Sequence, residues 1–480
     1  MQNHIKHDNK VFDILFDAID KQDEYDEKEI LIKFKDKAFA KQFALTKTRL
    51  YDQILRSLDA LYADSSVDAE LKQDLHFVEI LFRKTLYKQA EKLLYHTRKK
   101  ALKNEKISSL IEISLWQKRL LEKAGYAGDA EKQLKDIEEH DNWLISQLTM
   151  QNDFWQLKSN LFSSLNKKGK TENQVDFSKL LAQKSSEINY EKLSVENKYL
   201  FHHTHSAFYF GIHDYENCYS HLTQNVKLIS ENAFLFKDEP NVYFSVLSNL
   251  IFICNRLGKN QEALTALSQL KNVQQIFDIS NNEDLQIKHF NMLSSAEITL
   301  YKLTGNYEEA FKSLEGIESS LQRFREKLNP TRKAFYFFNL SAVYLANAKF
   351  NQALKWCNEL LNDKTIDENE NIRSYALLLS LLIHYDLNHT DYFPVIVKQL
   401  EKHFSPKEEI PLLFSAFISF AEGAYKNDGR PKHKEYLTTL LNTLQEIKNS
   451  GQEDLAFEYF DFNRWVNSRI TGIPFSMQEN

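Results

Sequence analysis

The side chains of this chain best suited to hold a metal ion are four histidines and a cysteine, His202, His203, His205, Cys218 and His221. Residues three apart on a helix share a face, so His202 with His205, and Cys218 with His221, could converge as imidazole and thiolate ligands. Helix packing explains the same residues, because Cys218 occupies a small-residue position of a helical repeat and the histidines stand where half-apolar side chains pack. We adopt the packing interpretation, so the sequence predicts neither a metal nor a cofactor.

The sequence also lacks the motifs of phosphate binding and of common hydrolytic chemistry. It contains no G-x-x-x-x-G-K-S/T or G-x-G-x-x-G loop, no H-E-x-x-H and no G-x-S-x-G. The carboxylate pairs Glu308–Glu309 and Glu408–Glu409 stand at predicted helix starts, where negative charge favours the helix dipole. The sequence therefore predicts a protein that is not an enzyme.

Composition indicates long helices and a nearly balanced surface charge. Glycine (11) and proline (7) are scarce among the 480 residues, which favours helices joined by short turns. The 61 basic and 67 acidic residues give a net charge of -6, which provides no large positive field for nucleic acid. Nucleic acid is therefore not the expected partner. The densest basic run is diluted by acidic neighbours and comprises Lys33, Lys35, Lys37, Lys41, Lys47 and Arg49.

Targeting signals and cysteine usage indicate a cytoplasmic protein. Residues 1–10 are polar and contain no apolar signal core. The longest apolar runs, Tyr375–Ile383 and Ile410–Ala421, are shorter than the roughly 20 residues that a membrane span needs. Cys218, Cys254 and Cys357 are odd in number and far apart, which argues against a disulfide framework. We expect no membrane association.

A recurring pattern organises the chain into helical hairpins. In each copy an apolar helix is followed by a short break, then by an aromatic or asparagine residue and, three positions later, by a small residue. Two antiparallel helices approach closely only where one offers a small side chain, so the pattern predicts a tight hairpin. Gly258 and Gly305 stand at two of the breaks, where a left-handed conformation ends a helix. Four copies place a first-helix residue nine positions before the small residue: Tyr209 and Cys218, Cys254 and Ala263, Tyr301 and Ala310, and Tyr344 and Ala353.

This pattern resembles the tetratricopeptide repeat, most clearly from Leu200 to Asp363. The small residues recur at intervals of 45, 47 and 43 positions, whereas the family's usual period is about 34, so the helices are expected to be longer. The resemblance implies an all-α fold, a right-handed superhelical solenoid of antiparallel helical hairpins whose first helices line an inner groove. Looser matches extend the series to Ala90, Ala130, Val395 and Tyr436.

We expect three regions along the chain. Residues 1–65 form an N-terminal helical module or cap, broken near residues 21–26. Residues 66–450 form the solenoid, with about nine hairpins. Residues 451–480 form a capping helix near Asp454–Arg469 and a tail, because a terminal hairpin has only one neighbour to cover its faces.

One hairpin of the predicted solenoid is degenerate. Ala130 and Cys218 lie 88 positions apart, which is about two repeat periods. We therefore predict a hairpin between them with helices at Trp143–Leu165 and Val175–Ile188, joined by a polar loop at residues 166–170.

The resemblance also implies where a ligand binds. In repeats of this kind, extended peptides or partner helices lie along the inner groove, and an asparagine amide suits the task because it donates and accepts at once. Basic residues of such a groove meet carboxylates of the ligand, and rings supply apolar contact. The candidate groove residues are Asn249, Phe252, Asn255, Arg256, Lys302, Phe338, Asn339 and His203.

Two hypotheses of function follow. The first is an adaptor or scaffold that binds a protein or peptide segment in the groove without covalent chemistry. The second is a peptide-responsive regulatory sensor whose N-terminal module engages DNA or a protein target. The two differ in whether residues 1–65 carry a contact helix or only a cap, and the sequence leaves self-association open.

Overall fold

The computed structural model describes residues 2–22, 24–62, 66–126, 128–166, 181, 188–367, 371–404, 410–426, 430–450 and 454–478. Every regular element in these ranges is a helix, which confirms the predicted all-α class. The chain divides into two compact units, Met1–Phe201 and His202–Asn480. None of the described helices is apolar over a stretch long enough to span a bilayer.

Unit 1 begins with three helices around a small hydrophobic cluster. They are α1 (Gln2–Asp20), α2 (Glu27–Lys33) and α3 (Phe43–Tyr62), and the first two are separated at the predicted break. Asp26 fixes the start of α2, because its carboxylate accepts hydrogen bonds from two backbone N–H groups of the first turn. The buried members of the cluster are Leu15, Ile30, Phe39, Phe43 and Leu50.

Two helical hairpins follow in unit 1. The prediction of a separate helix at Trp143–Leu165 is wrong, because these residues continue a helix of 37 residues that starts at Ala130. No glycine or proline stands between positions 130 and 166 to break that helix. The predicted loop at 166–170 and the helix at Val175–Ile188 fall largely outside the described residues. The four helices are α4 (Val67–Arg83), α5 (Tyr87–Lys103), α6 (Ile107–Lys123) and α7 (Ala130–Asn166).

The described residues contain six further consecutive hairpins, which belong to unit 2 from His202 onward and confirm the repeat predicted from the sequence. First helices also contact one another, as α10 does with α12, α14 with α16 and α16 with α18. In chain order the paired helices are α8 (Val195–Gly211) and α9 (Tyr215–Glu231), α10 (Asn241–Arg256) and α11 (Asn260–Lys271), α12 (Glu283–Leu303) and α13 (Tyr307–Phe324), α14 (Pro330–Ala346) and α15 (Phe350–Asn362), α16 (Asn371–Asp386) and α17 (Phe393–Phe404), and α18 (Leu412–Lys426) and α19 (Arg430–Ser450).

The first five hairpin turns of unit 2 share one hydrogen bond. In each turn a backbone N–H bonds to the carbonyl five residues earlier, as Lys349 does to Tyr344 at 2.9 Å. The residue before each donor has a left-handed conformation, which closes the helix end. Only two of these five residues are glycine, so glycine marks fewer than half of the turns. The left-handed residues are His213 (φ 61°), Gly258 (69°), Gly305 (71°), Ala348 (55°) and Asn388 (60°).

The small residues of the repeat are buried where the helices cross. Ala263, Ala310 and Ala353 have no exposed surface and Cys218 is 2% exposed. The looser match at Val395 is wrong, because this side chain is 55% exposed. Its neighbours Ile396 and Val397 are buried, as are Phe393 and Leu400 of the same helix.

In the last hairpin the small residue and the aromatic residue exchange helices. Gly423 of the first helix faces the ring of Tyr436 on the second, and a Cβ added to Gly423 would lie 2.7 Å from Tyr436 Cε1. The match at Tyr436 therefore marks a close crossing, with the aromatic on the opposite helix from that in the other copies.

The predicted capping helix consists of two short helices, α20 (Asp454–Tyr459) and α21 (Phe462–Thr471). Asp461 separates them and caps α21, since its carboxylate accepts a hydrogen bond from the N–H of Arg464 at 3.0 Å. Helix α21 packs against α19. We call residues 457–478 the C-terminal segment.

Candidate functional site

The candidate groove residues lie on the first helices of unit 2. His203 is on α8, four candidates are on α10, Lys302 is at the end of α12, and Phe338 and Asn339 are adjacent on α14. We call the surface formed by α8, α10, α12, α14 and α16 the first-helix face. The sequence thus predicted residues of one surface, and their role in binding stays a prediction.

The C-terminal segment lies across this face. Arg256 forms an ion pair with Glu458 at 3.0 Å between Nη2 and Oε1. The Nζ of Lys302 donates a hydrogen bond to the backbone carbonyl of Tyr459 at 2.6 Å. The ring of Tyr459 stacks on Tyr375, with 4.1 Å between centroids, and meets Phe338 edge-on at 5.6 Å. The face therefore holds a main-chain carbonyl, a carboxylate and an aromatic ring of the chain itself.

Lys302 and Asn339 are coupled beneath Tyr459. Lys302 Nζ also donates to Asn339 Oδ1 at 2.8 Å, and Asn339 Nδ2 donates to the backbone carbonyl of Phe335 at 2.8 Å. Both groups of the asparagine amide are thereby occupied inside the protein, and Phe338 beside it is 1% exposed. Burial lowers the pKa of Lys302 to about 8. A partner reaches these residues only if Tyr459 moves.

Most of the C-terminal segment is fixed in place by its aromatic residues. Phe460, Phe462 and Trp465 have no exposed surface, and Phe475 is 2% exposed. The indole Nε1 of Trp465 donates to Asp386 Oδ2 at 3.1 Å. These residues were not predicted as part of the site.

Two arginines complete this attachment. Arg469 donates to both carboxylate oxygens of Asp386, through Nε and Nη2, each at 2.5 Å. Arg464 is 6% exposed and donates to the carbonyl of Phe475 at 2.7 Å and to that of Gly305, in a hairpin turn, at 3.2 Å. The segment is thus bonded to the end of α16 and to the turn after α12.

The part of the face nearest α8 is open. Asn249 is exposed, and Phe252 and Phe210 are 37% and 45% exposed. The two rings meet edge-on at 6.0 Å, and the Arg256 guanidinium lies over the Phe252 ring at 5.2 Å. Phe210, which follows Tyr209 of the repeat by one position, was missed because the pattern uses only the inward-facing aromatic.

Asn255 and His203 are less accessible than the sequence suggested. Asn255 is partly buried, and its amide nitrogen and oxygen are both shielded with no hydrogen-bond partner among the described residues. His203 is also partly buried, and its backbone carbonyl accepts a hydrogen bond from Ser206 Oγ at 2.9 Å.

The histidine cluster between α8 and α9 is a packed stack. His202 Nδ1 lies 2.9 Å from His221 Nδ1, and His205 stacks on His221 with 4.9 Å between ring centroids. Burial, together with the neighbouring histidines, lowers the pKa of His202 to about 4 and that of His221 to about 3. Burial also raises the pKa of Cys218 to about 12. In the described part of the chain, no three His, Cys, Asp or Glu side chains are arranged to hold a metal ion.

No protein-family model and no curated protein matches the chain. Solved structures that align with it include the apo form of RapI, with 12% identity over 84% of this chain and 99% of that chain and a TM-score of 0.42. The apo form of the quorum sensor NprR from B. thuringiensis aligns with 14% identity over 85% and 99% and a TM-score of 0.37. NprR in complex with its cognate peptide NprX aligns with 14% identity over 71% and 94% and a TM-score of 0.33.

Proposed function

We propose that this protein binds a segment of another protein or peptide on the first-helix face of unit 2, without covalent chemistry. The observation that supports the proposal is that this face already holds a peptide segment. Lys302 donates a hydrogen bond to the main-chain carbonyl of Tyr459, and Arg256 forms an ion pair with Glu458. Tyr375 stacks on the Tyr459 ring. These are the main-chain, charged and apolar contacts that peptide recognition requires.

The open part of the face supplies the contact surface for the partner. Phe210 and Phe252 are exposed rings side by side, and exposed aromatic residues are common anchors of protein interfaces. Asn249 lies one helical turn before Phe252 and has an exposed amide with no hydrogen-bond partner among the described residues. An apolar side chain of the partner packs on the rings, while its main chain bonds to the amide.

Affinity capture with a matched control tests this proposal. The full chain carrying Asn249→Ala and Phe252→Ser is compared with a chain carrying Leu264→Ser, which lies on the second helix of the same hairpin and is 42% exposed. Captured proteins are identified by mass spectrometry and the main one is titrated by calorimetry. We expect at least about a tenfold loss of affinity in the double variant and none in the control. Equal affinities for both variants would place the binding surface elsewhere.

The second candidate function is a regulatory sensor whose N-terminal module engages a protein target. Exposed apolar residues favour it: Tyr51, Leu55 and Leu58 lie on one face of α3 and are 61%, 46% and 43% exposed. A protein is favoured over DNA because Lys47 of the basic run is paired with Glu27 at 2.5 Å. If the protein is such a sensor, the double variant Leu55→Ser and Leu58→Ser loses the target of α3 but still binds the partner of the first-helix face. The sensor hypothesis is contradicted if the variant keeps both the target and the partner, or if it loses both.

A further inference from the structure

The C-terminal segment combines a fixed part with a weakly held edge. Phe460, Phe462 and Trp465 have no exposed surface, whereas Glu458 and its partner Arg256 have side chains that are 45% and 43% exposed. An ion pair this exposed contributes little to stability, because water screens both charges. Contact with the first-helix face can therefore be broken at Glu458 without releasing the residues behind it.

Tyr459 stands at the boundary of these two parts. Its ring packs on Tyr375 and Phe338, and it is partly buried. If the ring turned away, it would uncover the Phe338 ring, over which the Lys302 ammonium lies at 5.8 Å. The exposed face would then offer the Arg256 guanidinium and the rings of Phe338 and Tyr375.

We propose that Glu458 and Tyr459 are a built-in competitor, which a partner segment carrying an acidic residue beside an aromatic residue displaces. This inference rests on the proposed function of the same face. Arg256 selects the acidic residue, since loss of Glu458 leaves its guanidinium without a carboxylate and the partner restores one. The rings of Tyr375 and Phe338 select the aromatic residue, because a ring in the place of Tyr459 restores the stacked contact with Tyr375 and the edge-on contact with Phe338.

Glu458 and Tyr459 lower the affinity of the face for its partner, and the free energy of their own contacts with the face determines by how much. An exposed ion pair corresponds to up to about a fivefold change in an equilibrium constant, and an aromatic contact to about tenfold. Removing both groups should therefore strengthen partner binding by roughly ten- to fiftyfold. The remaining residues of the segment stay in place as the border of the site.

The experiment uses the full chain and a defined probe. The probe is a fluorescein-labelled, amidated synthetic peptide, DLAFEY, which copies residues 454–459. A second peptide, DLAFQY, replaces the carboxylate by an amide of the same shape. Fluorescence anisotropy measures binding to the natural chain, to Glu458→Gln with Tyr459→Ala, and to the same double variant with Arg256→Gln added.

We expect DLAFEY to bind the double variant at least about tenfold more tightly than the natural chain, and DLAFQY to bind it about fivefold more weakly than DLAFEY. Adding Arg256→Gln should remove the difference between the peptides. Tyr459→Phe, which keeps the ring, should compete as the natural residue does. The inference is overturned if DLAFEY binds all chains equally, if it binds none of them, or if the preference for the carboxylate survives Arg256→Gln.

These outcomes are separable from failure of the proposed function. If the peptides do not discriminate but a captured partner is still lost with Asn249→Ala and Phe252→Ser, the face binds a partner of different chemistry. If the partner is retained by that variant, the binding surface itself was misassigned. Circular dichroism of each variant establishes that it is folded before binding is compared.

Discussion

Asp386 holds the C-terminal segment to α16, and its replacement by asparagine tests how firmly. The side chain is 5% exposed and accepts hydrogen bonds from Arg469 and from Trp465. Breaking a buried ion pair costs about 3–5 kcal/mol, because one charge is left without a partner. Arg469 remains 20% exposed, so water reaches it in part and we expect the lower end, about 3 kcal/mol.

Hydrogen exchange followed by mass spectrometry measures this loss locally. A reduction of about 3 kcal/mol in the free energy of opening corresponds to about a hundredfold faster amide exchange, which we expect in peptides from Phe462–Thr471. Peptides from Pro330–Ala346 should be unchanged, which distinguishes local opening from global unfolding. Glu458→Gln is the control, because its exposed ion pair contributes at most about 1 kcal/mol. The reasoning fails if Asp386→Asn accelerates exchange less than tenfold, or if Glu458→Gln accelerates it equally.

Three further predictions concern the repeat and the histidine stack. Ala348→Gly should raise the free energy of unfolding by about 1 kcal/mol, because Ala348 is exposed and its φ of 55° is left-handed. Gly305→Ala should lower the free energy of unfolding by a similar amount, because the φ of Gly305 is 71°. Ala310→Leu should lower it by about 2 kcal/mol, since the crossing leaves no space for added methyl groups. The low pKa values of His202 (about 4) and His221 (about 3) mean that the unfolded chain binds protons first, so stability is complete above pH 6.5 and is lost progressively towards pH 4. We expect a loss on the order of 2 kcal/mol for each histidine between pH 7 and pH 5, so His221→Phe should reduce the total loss.

Chemical denaturation measures all three. A stabilising effect of Gly305→Ala would contradict the left-handed assignment of that turn, and an unchanged Ala310→Leu variant would show that the helices separate at little cost. A pH dependence that is the same in the natural chain and in His221→Phe would assign it to other groups.

The hairpin repeat could be predicted because its cause is local and steric. A small residue at a helix crossing is required in every copy, so Ala263, Ala310 and Ala353 recur with a measurable period. The turns were harder to recognise, because the repeated hydrogen bond tolerates His213, Ala348 or Asn388 at the left-handed position at a modest energetic cost. The prediction of a separate helix within α7 was wrong because it rested on the repeat period, although no residue of α7 breaks the helix.

The occupied part of the candidate site could not be predicted in the same way. Arg256 and Glu458 are separated by 202 positions, and Lys302 and Tyr459 by 157. Contacts between residues so far apart in the sequence produce no periodic pattern. A short helix near the end of a solenoid is interpreted as a cap whether or not it also contacts the first-helix face. Residue type and helical spacing were enough to predict that Arg256, Lys302 and Phe338 lie on one face. They did not reveal that the C-terminal segment contacts these three residues.

Arg464 limits how much of the C-terminal segment a partner can displace in the proposed exchange. Its guanidinium donates to carbonyl groups of Gly305, Phe475, Ser476 and Gln478, so it joins a hairpin turn to the final residues of the segment. Withdrawing the whole segment would leave these hydrogen bonds unmade and expose several buried aromatic rings, at a cost that a short peptide contact does not offset. Exchange is therefore confined to the residues before Phe460. The proposed binding surface has one fixed border there and is open towards Phe252 and Phe210. We therefore expect a partner segment to enter from the α8 side and to end at Arg256 or Lys302.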